Sequence, residues 1–588
     1  MLDLAGVQPD DALIAGWRAR VNRARARLGW ASSSSLADVT WVRPSVQDTV
    51  ARLHAKGASL ALSAPCDQLF TATEVNEWAL CASLYERDPL HWAALEDALV
   101  VAANEVEGNP GAAVPPVIDE AAAMARFEQL SDLEARPELR ALVDAADARG
   151  LAHVLDETTL TLGTGCGGRS YSLMELPFVA DVPWNDLRDV PAALVTGSNG
   201  KTTTVRLVAA CTRAQGWRTA FNCTDGVFVD GEAIDTGDYA GPVGARLVLR
   251  DSRVEAAVIE TARGGILRRG IAVNRVQAAI VTNVSSDHFG EYGIHDLPGL
   301  ADVKLTVAGA VVPGGTLVLD ADDVLLRSRA AGLAQRYGRS PSIAWFAIDA
   351  DDDFLRLQRA TGGATCGVRA GRLVLSSGAI EYDLGAVASM PLTVEGSAVY
   401  NIANLAGSAL VATALGVAPA TIASVFARFG TRAADNAGRM MRFDVHGVKV
   451  LVDYAHNPEG IRGLLHVAQH LRGDRGRLGV LLGHAGNRRD ADIRDVARVA
   501  AEFRPDVVVI KENEAHLRGR EPGEIPRMIR AELLQLGLPE SALPMHSTEL
   551  EGVRAALAWA RPGDVLALPV HSAAARAATL TLLEEMQR

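Results

Sequence analysis

The chain has 588 residues, of which 48% are hydrophobic and 22% charged, and its formal net charge is −13. That length predicts three or four domains rather than one, and the apolar stretches are too short and too interrupted by charge to span a bilayer. The acidic balance argues against nucleic acid as a partner.

The N-terminus carries acids early and lacks the basic-then-apolar order of a signal peptide, so a cytoplasmic location is expected. Six cysteines, at 66, 81, 166, 211, 223 and 366, are scattered without a Cys-x-x-Cys pair and read as reduced core thiols. Only five basic residues are lysine, at 56, 201, 304, 449 and 511, against 58 lysines and arginines together. Where arginine serves for surface charge, a retained lysine points to a need for a compact or titratable amine.

Residues 1–186 form a first region of mixed helix and strand. "DDALIAGWRARVNRARARLGW" has apolar residues at helical spacing with arginines on the other face, and Asp10 or Asp11 suits the N-cap. "GASLALSAP" and "LTLGTG" read as strands, and "EGNPGAAVPPVIDE" as a linker or subdomain junction. From 187 the pattern becomes α/β. The strands "AALVTG", "AAVIET", "AAIVTNV" and "GTLVLD" alternate with helices, which predicts a parallel sheet with its site at the strand C-termini. A third α/β block runs from 437 to 588 through "FDVHGVKVLVDYAHNP", "RLGVLLGHAGN", "PDVVVIKEN" and "GDVLALPV".

"VTGSNGKTTT" (195–204) places a Gly-rich turn between an apolar strand and a helix. The amides of Gly197, Ser198, Asn199, Gly200, Lys201, Thr202 and Thr203 suit phosphate, Lys201 suits the β- and γ-phosphates, and the Thr202 hydroxyl suits Mg²⁺. The usual P-loop glycine five residues before Gly200 is Val195 here. Glu260 ends the next apolar strand, and Asp287 and His288 follow another, a placement that suits divalent metal beside a triphosphate. Asn401 and Asn404 are three apart on one helical face.

These segments, with "ETARGGILRRG", "TNVSSDHFGEYGI", "VLDADD", "NIANLAG" and "VDYAHNPEG" following in order over residues 187–588, resemble the Mur ligase family. "TDG" (224–226), "ETARGGILR" and "KE…RGR…GE" are similar to segments of the Mur-ligase-like half of cyanophycin synthetases. The resemblance implies a three-part architecture: a divergent α+β region (1–186), a P-loop central domain (187–436) and a Rossmann-like C-terminal domain (437–588). It also implies an ATP- and Mg²⁺-dependent amide ligase, in which a carboxylate is phosphorylated and an amine then displaces the phosphate. On that analogy Lys201, Lys304, His288 and Glu260 are catalytic. Thr202, Glu260, His288 and a carbamylated Lys304 hold metal, while Asn404, Arg439 and Asp453 reach the nucleotide. Tyr400 departs from the family, which usually has His before the first Asn.

The stretch 141–171 resembles the lead into the ATP-grasp domain of cyanophycin synthetases. The chain then passes directly to the Mur-like part, which implies a single ATP-using site. The expected substrates are small amino acids, dipeptides or polypeptides of the Arg/Asp or β-Asp-Arg type. A nucleotide-binding scaffold, or a cell-wall or folate ligase, stands as the alternative. Substrate contacts are assigned to Arg263, His456, Lys511, Glu512, Arg518 and Arg520, with loop positioning the alternative for His456 and a charged surface loop the alternative for the last four, which come from "IKENEAHLRGREPGE", whose acids include Glu514. Asp238 and Arg268, with Arg263, are placed either along an acceptor channel or in structural ion pairs. The family's habit implies a homo-oligomer.

Overall fold

The computed structural model describes residues 2–5, 7–30, 49–54, 57–92, 118–286, 289, 293–338, 341–473 and 476–587. The expected linker at 107–120 lies almost wholly outside them. None of the described helices is long and apolar enough to cross a membrane.

Among the described residues the N-terminal region contains two small antiparallel sheets. Strands Leu2–Ala5, Gly57–Leu62 and Thr49–His54 form one, covered by helices Asp11–Arg27, Leu69–Arg87 and Glu120–Glu134 around Trp17, Val21 and Trp78. His153–Leu155, Thr159–Leu162 and Arg169–Ser172 form the other. Asp10 caps the first helix by accepting from Leu13 N at 2.8 Å. Its arginines do not all face outward. Arg20 is buried and donates to Ser83 Oγ at 3.0 Å, and Arg25 is buried on the carbonyls of Ser63 and Trp30, each at 3.1 Å. The second helix supplies the acceptor for Arg20 and the segments at Ser63 and Trp30 those for Arg25, none of which spacing within one helix reveals.

The central sheet has eleven strands. Seven are parallel: Thr219–Cys223, Ala256–Glu260, Ala192–Thr196, Val276–Val281, Val311–Asp320, Ser342–Asp349 and Thr365–Arg369, in that spatial order. Antiparallel strands extend both edges. Strand Ala192–Thr196 is buried throughout: Ala193 and Val195 pack into the core on one face, Ala192 and Leu194 into that on the other. A strand covered on both faces reads as an unbroken apolar run, and each fully buried Val or Leu contributes roughly 1.5–3 kcal/mol. Val195 is therefore the last core residue before the phosphate loop, a position that glycine would leave unfilled.

Chain order reverses about this strand. Its successors lie first to one side, at Thr219–Cys223 and Ala256–Glu260, and then to the other, at Val276–Val281. Such a reversal opens a crevice at the carboxyl ends of the strands. Helix Val399–Ala414 crosses one face of the sheet, buried along most of its length. A Cβ on Gly407 would lie 2.7 Å from Ile280 Cδ1, so glycine there lets helix and sheet touch.

The C-terminal sheet has the order Met441–Val445, Val448–Asp453, Val565–Pro569, Leu478–Leu482, Val507–Lys511, Met545–His546, and only its first strand is antiparallel. Cores on its two faces are formed by Leu465, Val480, Ile493 and Ile510 and by Val450, Leu481, Val509 and Leu568. The six cysteines are all free thiols; Cys211, Cys223 and Cys366 lie in the core as expected, while Cys66, Cys81 and Cys166 are only half-buried.

Candidate active site

The phosphate loop leaves strand Ala192–Thr196 at the crevice, and its shape is set by two glycines. Gly197 and Gly200 have φ of +148° and +82°. A Cβ on the first would fall 1.8 Å from Thr282 Oγ1, and on the second 2.2 Å from Asn404 Oδ1. Asn404 is thus the wall on which Gly200 rests. It donates to Asn401 Oδ1 at 3.1 Å, and Asn401 donates to Leu392 O at 3.0 Å. Leu392 lines a cavity of about 360 Å³ shared with Asn436, Arg439 and Lys449, at the junction with the C-terminal domain.

The neighbouring strand end holds the loop from the other side. Ser198 N donates to Asn283 O at 3.0 Å and Asn199 N to Asn283 Oδ1 at 2.9 Å. Thr282 Oγ1 donates to Asn199 O at 2.6 Å, and Ser198 Oγ to Ser285 O at 2.9 Å. Helix Lys201–Ala214 then begins, with no side-chain cap on its first amides. The N–H groups at that end, with the helix dipole behind them, favour an anion. Lys201 Nζ lies over the loop, donating to Gly197 O at 3.0 Å and Ser198 O at 2.9 Å. Thr203 is buried beside Asn436, whose Nδ2 is 3.3 Å from its Oγ1.

Thr202 Oγ1 donates to Glu260 Oε2 at 2.8 Å, and Thr224 Oγ1 lies 3.4 Å from Oε1. Burial pushes the Glu260 carboxyl up, Lys201, the Thr202 hydrogen bond and Arg439 draw it only part of the way back, and Asp238 adds to the rise. Hydroxyl and carboxylate oxygens on adjoining strand ends are the donor chemistry that Mg²⁺ takes. The loop's close-fitting glycines and open helix end suit a nucleotide phosphate, so the residues present fit both groups.

The C-terminal domain reaches into this corner. Asn457 Nδ2 donates to Asn199 Oδ1 at 2.9 Å, while Asn457 Oδ1 caps its own helix, Pro458–Arg472, by accepting from Gly460 N at 2.8 Å. Asp453 accepts from Met440 N at 2.6 Å and Ala455 N at 2.7 Å. Burial raises its pKa against the pull of Arg439 and these amides. Tyr400 lies beside Asp453, and a Cβ on Gly463 would be 2.8 Å from its ring. The residue that departs from the family is thus an interdomain contact.

Asp225, of the "TDG" hairpin, receives Arg206 at 2.9 Å and Arg576 at 2.8 Å, with Arg439 at 4.0 Å. Arg206 also donates to Ala437 O at 2.7 Å, and Arg439 and Arg576 both lie over the Tyr454 ring. Asn457, Asp225, Arg206, Arg576 and Tyr454 escaped the sequence reading. "TDG" and "YAHNP" were visible as motifs, but their meaning depends on how two domains dock.

The remaining expectations divide. Lys304 is buried at the end of helix Leu297–Lys304, and Arg263 is buried at the start of helix Arg263–Arg269 beside the exposed Arg268. His456 Nδ1 lies 3.1 Å from Tyr454 O. Asp287 and His288 lie outside the described residues. Most charges of this loop are committed to partners within the C-terminal domain, which corrects its reading as an open substrate contact. Lys511 is fully buried on Glu549, and Glu512 accepts from Gly523 N. Arg520 donates to the carbonyls of Gly486 and Arg488 and pairs with Asp490 and Glu524. Neighbouring segments far along the chain supply the counter-charges and carbonyls, which the loop's own sequence does not reveal. Glu514 and Arg518 remain exposed.

A family model described as Mur ligase middle domain matches residues 195–378, and one described as Mur ligase, glutamate ligase domain matches 438–568. The chain is 34% identical over 346 residues to a cyanophycin synthetase from Synechocystis sp., covering 59% of this chain and 38% of that protein. It is 32% identical over 404 residues to a cyanophycin synthetase from Trichormus variabilis, covering 68% and 44%. It is 28% identical over 382 residues to a UDP-N-acetylmuramoyl-L-alanyl-D-glutamate–2,6-diaminopimelate ligase from Xanthomonas campestris, covering 63% and 70%. The matched regions span about two fifths of the length of the two synthetases.

Proposed function

Because the chain belongs to the Mur ligase family through its middle and C-terminal domains, we propose that it is an ATP-dependent amide ligase for amino-acid or dipeptide substrates of the cyanophycin type. The observation that carries this reading is the buried Thr202–Glu260 pair at the switch point, beside a glycine-shaped loop that the other domain grips through Asn457. In the reaction a carboxylate oxygen of one substrate attacks the γ-phosphorus of ATP, and ADP leaves. The amine of the second substrate then attacks the acyl carbon, loses a proton and expels phosphate.

Lys201 and the amides of 197–203 hold and orient the phosphates, with Asn404 as the wall behind Gly200. Thr202 and Glu260 are the residues that would hold Mg²⁺, which when bound offsets charge on the phosphates. Arg439 and Asp453 approach from the C-terminal domain. Closure of the two domains excludes water, which matters because an acyl phosphate hydrolyses readily. The cyanophycin-type substrate is supported by the named relatives, and Arg518, exposed on the charged loop, is assigned to meet it, whereas Glu514 accepts the N–H of Glu549 at 3.2 Å.

The test is ADP release with mass detection of the product, using arginine, aspartate, glutamate, β-Asp-Arg, short acidic peptides, UDP-muramoyl peptides and folates as substrates. A ligated product with the Arg/Asp set is expected, abolished in Lys201→Ala. Silence with every substrate, or undiminished turnover in that variant, would sink the reading.

A further inference from the structure

Lys511 and Glu549 are the two charged residues, among those described, with no solvent exposure at all. Lys511 ends strand Val507–Lys511, and Glu549 opens helix Glu549–Trp559. Lys511 Nζ pairs with Glu549 Oε1, donates to Pro569 O at 2.6 Å and lies 3.5 Å from His571 Nδ1. The Glu549 carboxylate also accepts the N–H groups of His571 at 3.0 Å and Ser572 at 2.7 Å.

His571 Nε2 lies 2.9 Å from Ala455 O. A carbonyl can only accept, so Nε2 carries the proton and Nδ1 turns its lone pair to Lys511. Ala455 is the middle of the turn 453–457, which gives its own N–H to Asp453 and places Asn457 on the phosphate loop. From residues 571–572 the chain enters the last helix, where Arg576 donates to His571 O at 2.7 Å and reaches Asp225 at 2.8 Å. One buried pair thus braces the roots of two interdomain contacts, Asn457 on Asn199 and Arg576 on Asp225.

We propose that the Lys511–Glu549 pair, acting through His571, is a positioning element that sets the turn 453–457 and with it the C-terminal domain's grip on the phosphate loop. The effect on turnover rests on the ligase reading, whereas the effect on the turn does not. A buried ion pair is weak evidence for stability, since apolar side chains of similar volume often replace it without loss. An apolar pair, however, offers His571 no donor.

The test uses the full chain carrying Lys511→Met with Glu549→Leu, and separately His571→Ala and His571→Gln. Amide hydrogen exchange of the segment 453–460 and calorimetric binding of ADP are measured in each, with KM for ATP and kcat where turnover is present. The double variant and His571→Ala should exchange faster in that segment and bind ADP more weakly, each by roughly three- to tenfold, the equivalent of about one lost hydrogen bond. KM should rise more than kcat falls. His571→Gln, whose amide can still donate to Ala455 O, should restore both readouts.

A folded double variant that exchanges and binds like wild type overturns the proposal, as does His571→Gln behaving like His571→Ala. If the double variant does not fold, the two His571 variants decide alone. Absence of ADP release by the wild type with every substrate would defeat the ligase reading and leave the exchange result standing.

Discussion

Two buried glutamates, one in each α/β domain, carry their charge in opposite ways. Glu549 has a lysine ammonium and two backbone N–H groups on its oxygens, and although burial alone would raise its pKa, these partners bring it below the ordinary value. Glu260 has the Thr202 hydroxyl at 2.8 Å and the Thr224 hydroxyl at 3.4 Å, and burial leaves its pKa raised. The first carboxylate is neutralised by the fold, while the second is short of positive charge at the mouth of a crevice. A buried charge compensated from within is architecture, whereas one left short fits a site that receives a cation.

The largest effect expected from this contrast is on Glu549. Changing it to Gln leaves Lys511 buried without a counter-charge and should cost about 3–5 kcal/mol, read as a lower urea midpoint for the C-terminal domain. The pH dependence has a definite sign. A carboxyl held below its unfolded value contributes stability that is present above that value and lost as pH falls through the folded one. The wild-type advantage over Glu549→Gln should therefore shrink on acidification. A variant as stable as wild type would erase the distinction between the two carboxylates.

A smaller effect separates the two arginines of the charged loop. Arg520 joins the 486–490 segment to its own loop through two carbonyls and two carboxylates, so Arg520→Ala should destabilise by roughly 1–2 kcal/mol. Arg518 is exposed with φ of +47°, and Arg518→Ala should leave the unfolding midpoint in place and act, if the loop meets substrate, on the substrate KM. Equal loss of stability in both variants would mean that no part of this loop is held open.

How much of this was legible in sequence follows from how local each cause is. The glycines of the phosphate loop were legible because a backbone at φ of +82° pressed on Asn404 leaves its mark on one residue type. The parallel strands were legible because burial on both faces demands an unbroken apolar run. Lys511 stood out through the scarcity of lysine, but its purpose did not, since Glu549 and His571 lie 38 and 60 residues further along the chain. Arg20 and Arg25 looked like surface charges because their acceptors belong to other elements. Asn457 was visible only as part of the motif "VDYAHNPEG", and only the docked domains show its amide on Asn199.

The smallest effect is the most discriminating, because its sign differs from the first. Burial raises the Glu260 pKa, so in the nucleotide-free protein ionisation of this group works against folding. A carboxyl raised on folding contributes stability that is full below its unfolded value and lost as pH rises through the folded one. Glu260→Gln removes that loss while keeping an oxygen for Thr202 to donate to. The variant should therefore be more stable than wild type near neutral pH, by less than Arg520→Ala loses, with the gain fading towards pH 4. ADP-dependent stabilisation in the presence of Mg²⁺ should move the other way and diminish in the variant, because the amide offers the cation no charge. Thermal unfolding of the two proteins across that pH range, with and without Mg²⁺ and ADP, measures both. Glu260→Gln that loses stability at neutral pH would place this carboxylate with Glu549, as part of the frame rather than of the site.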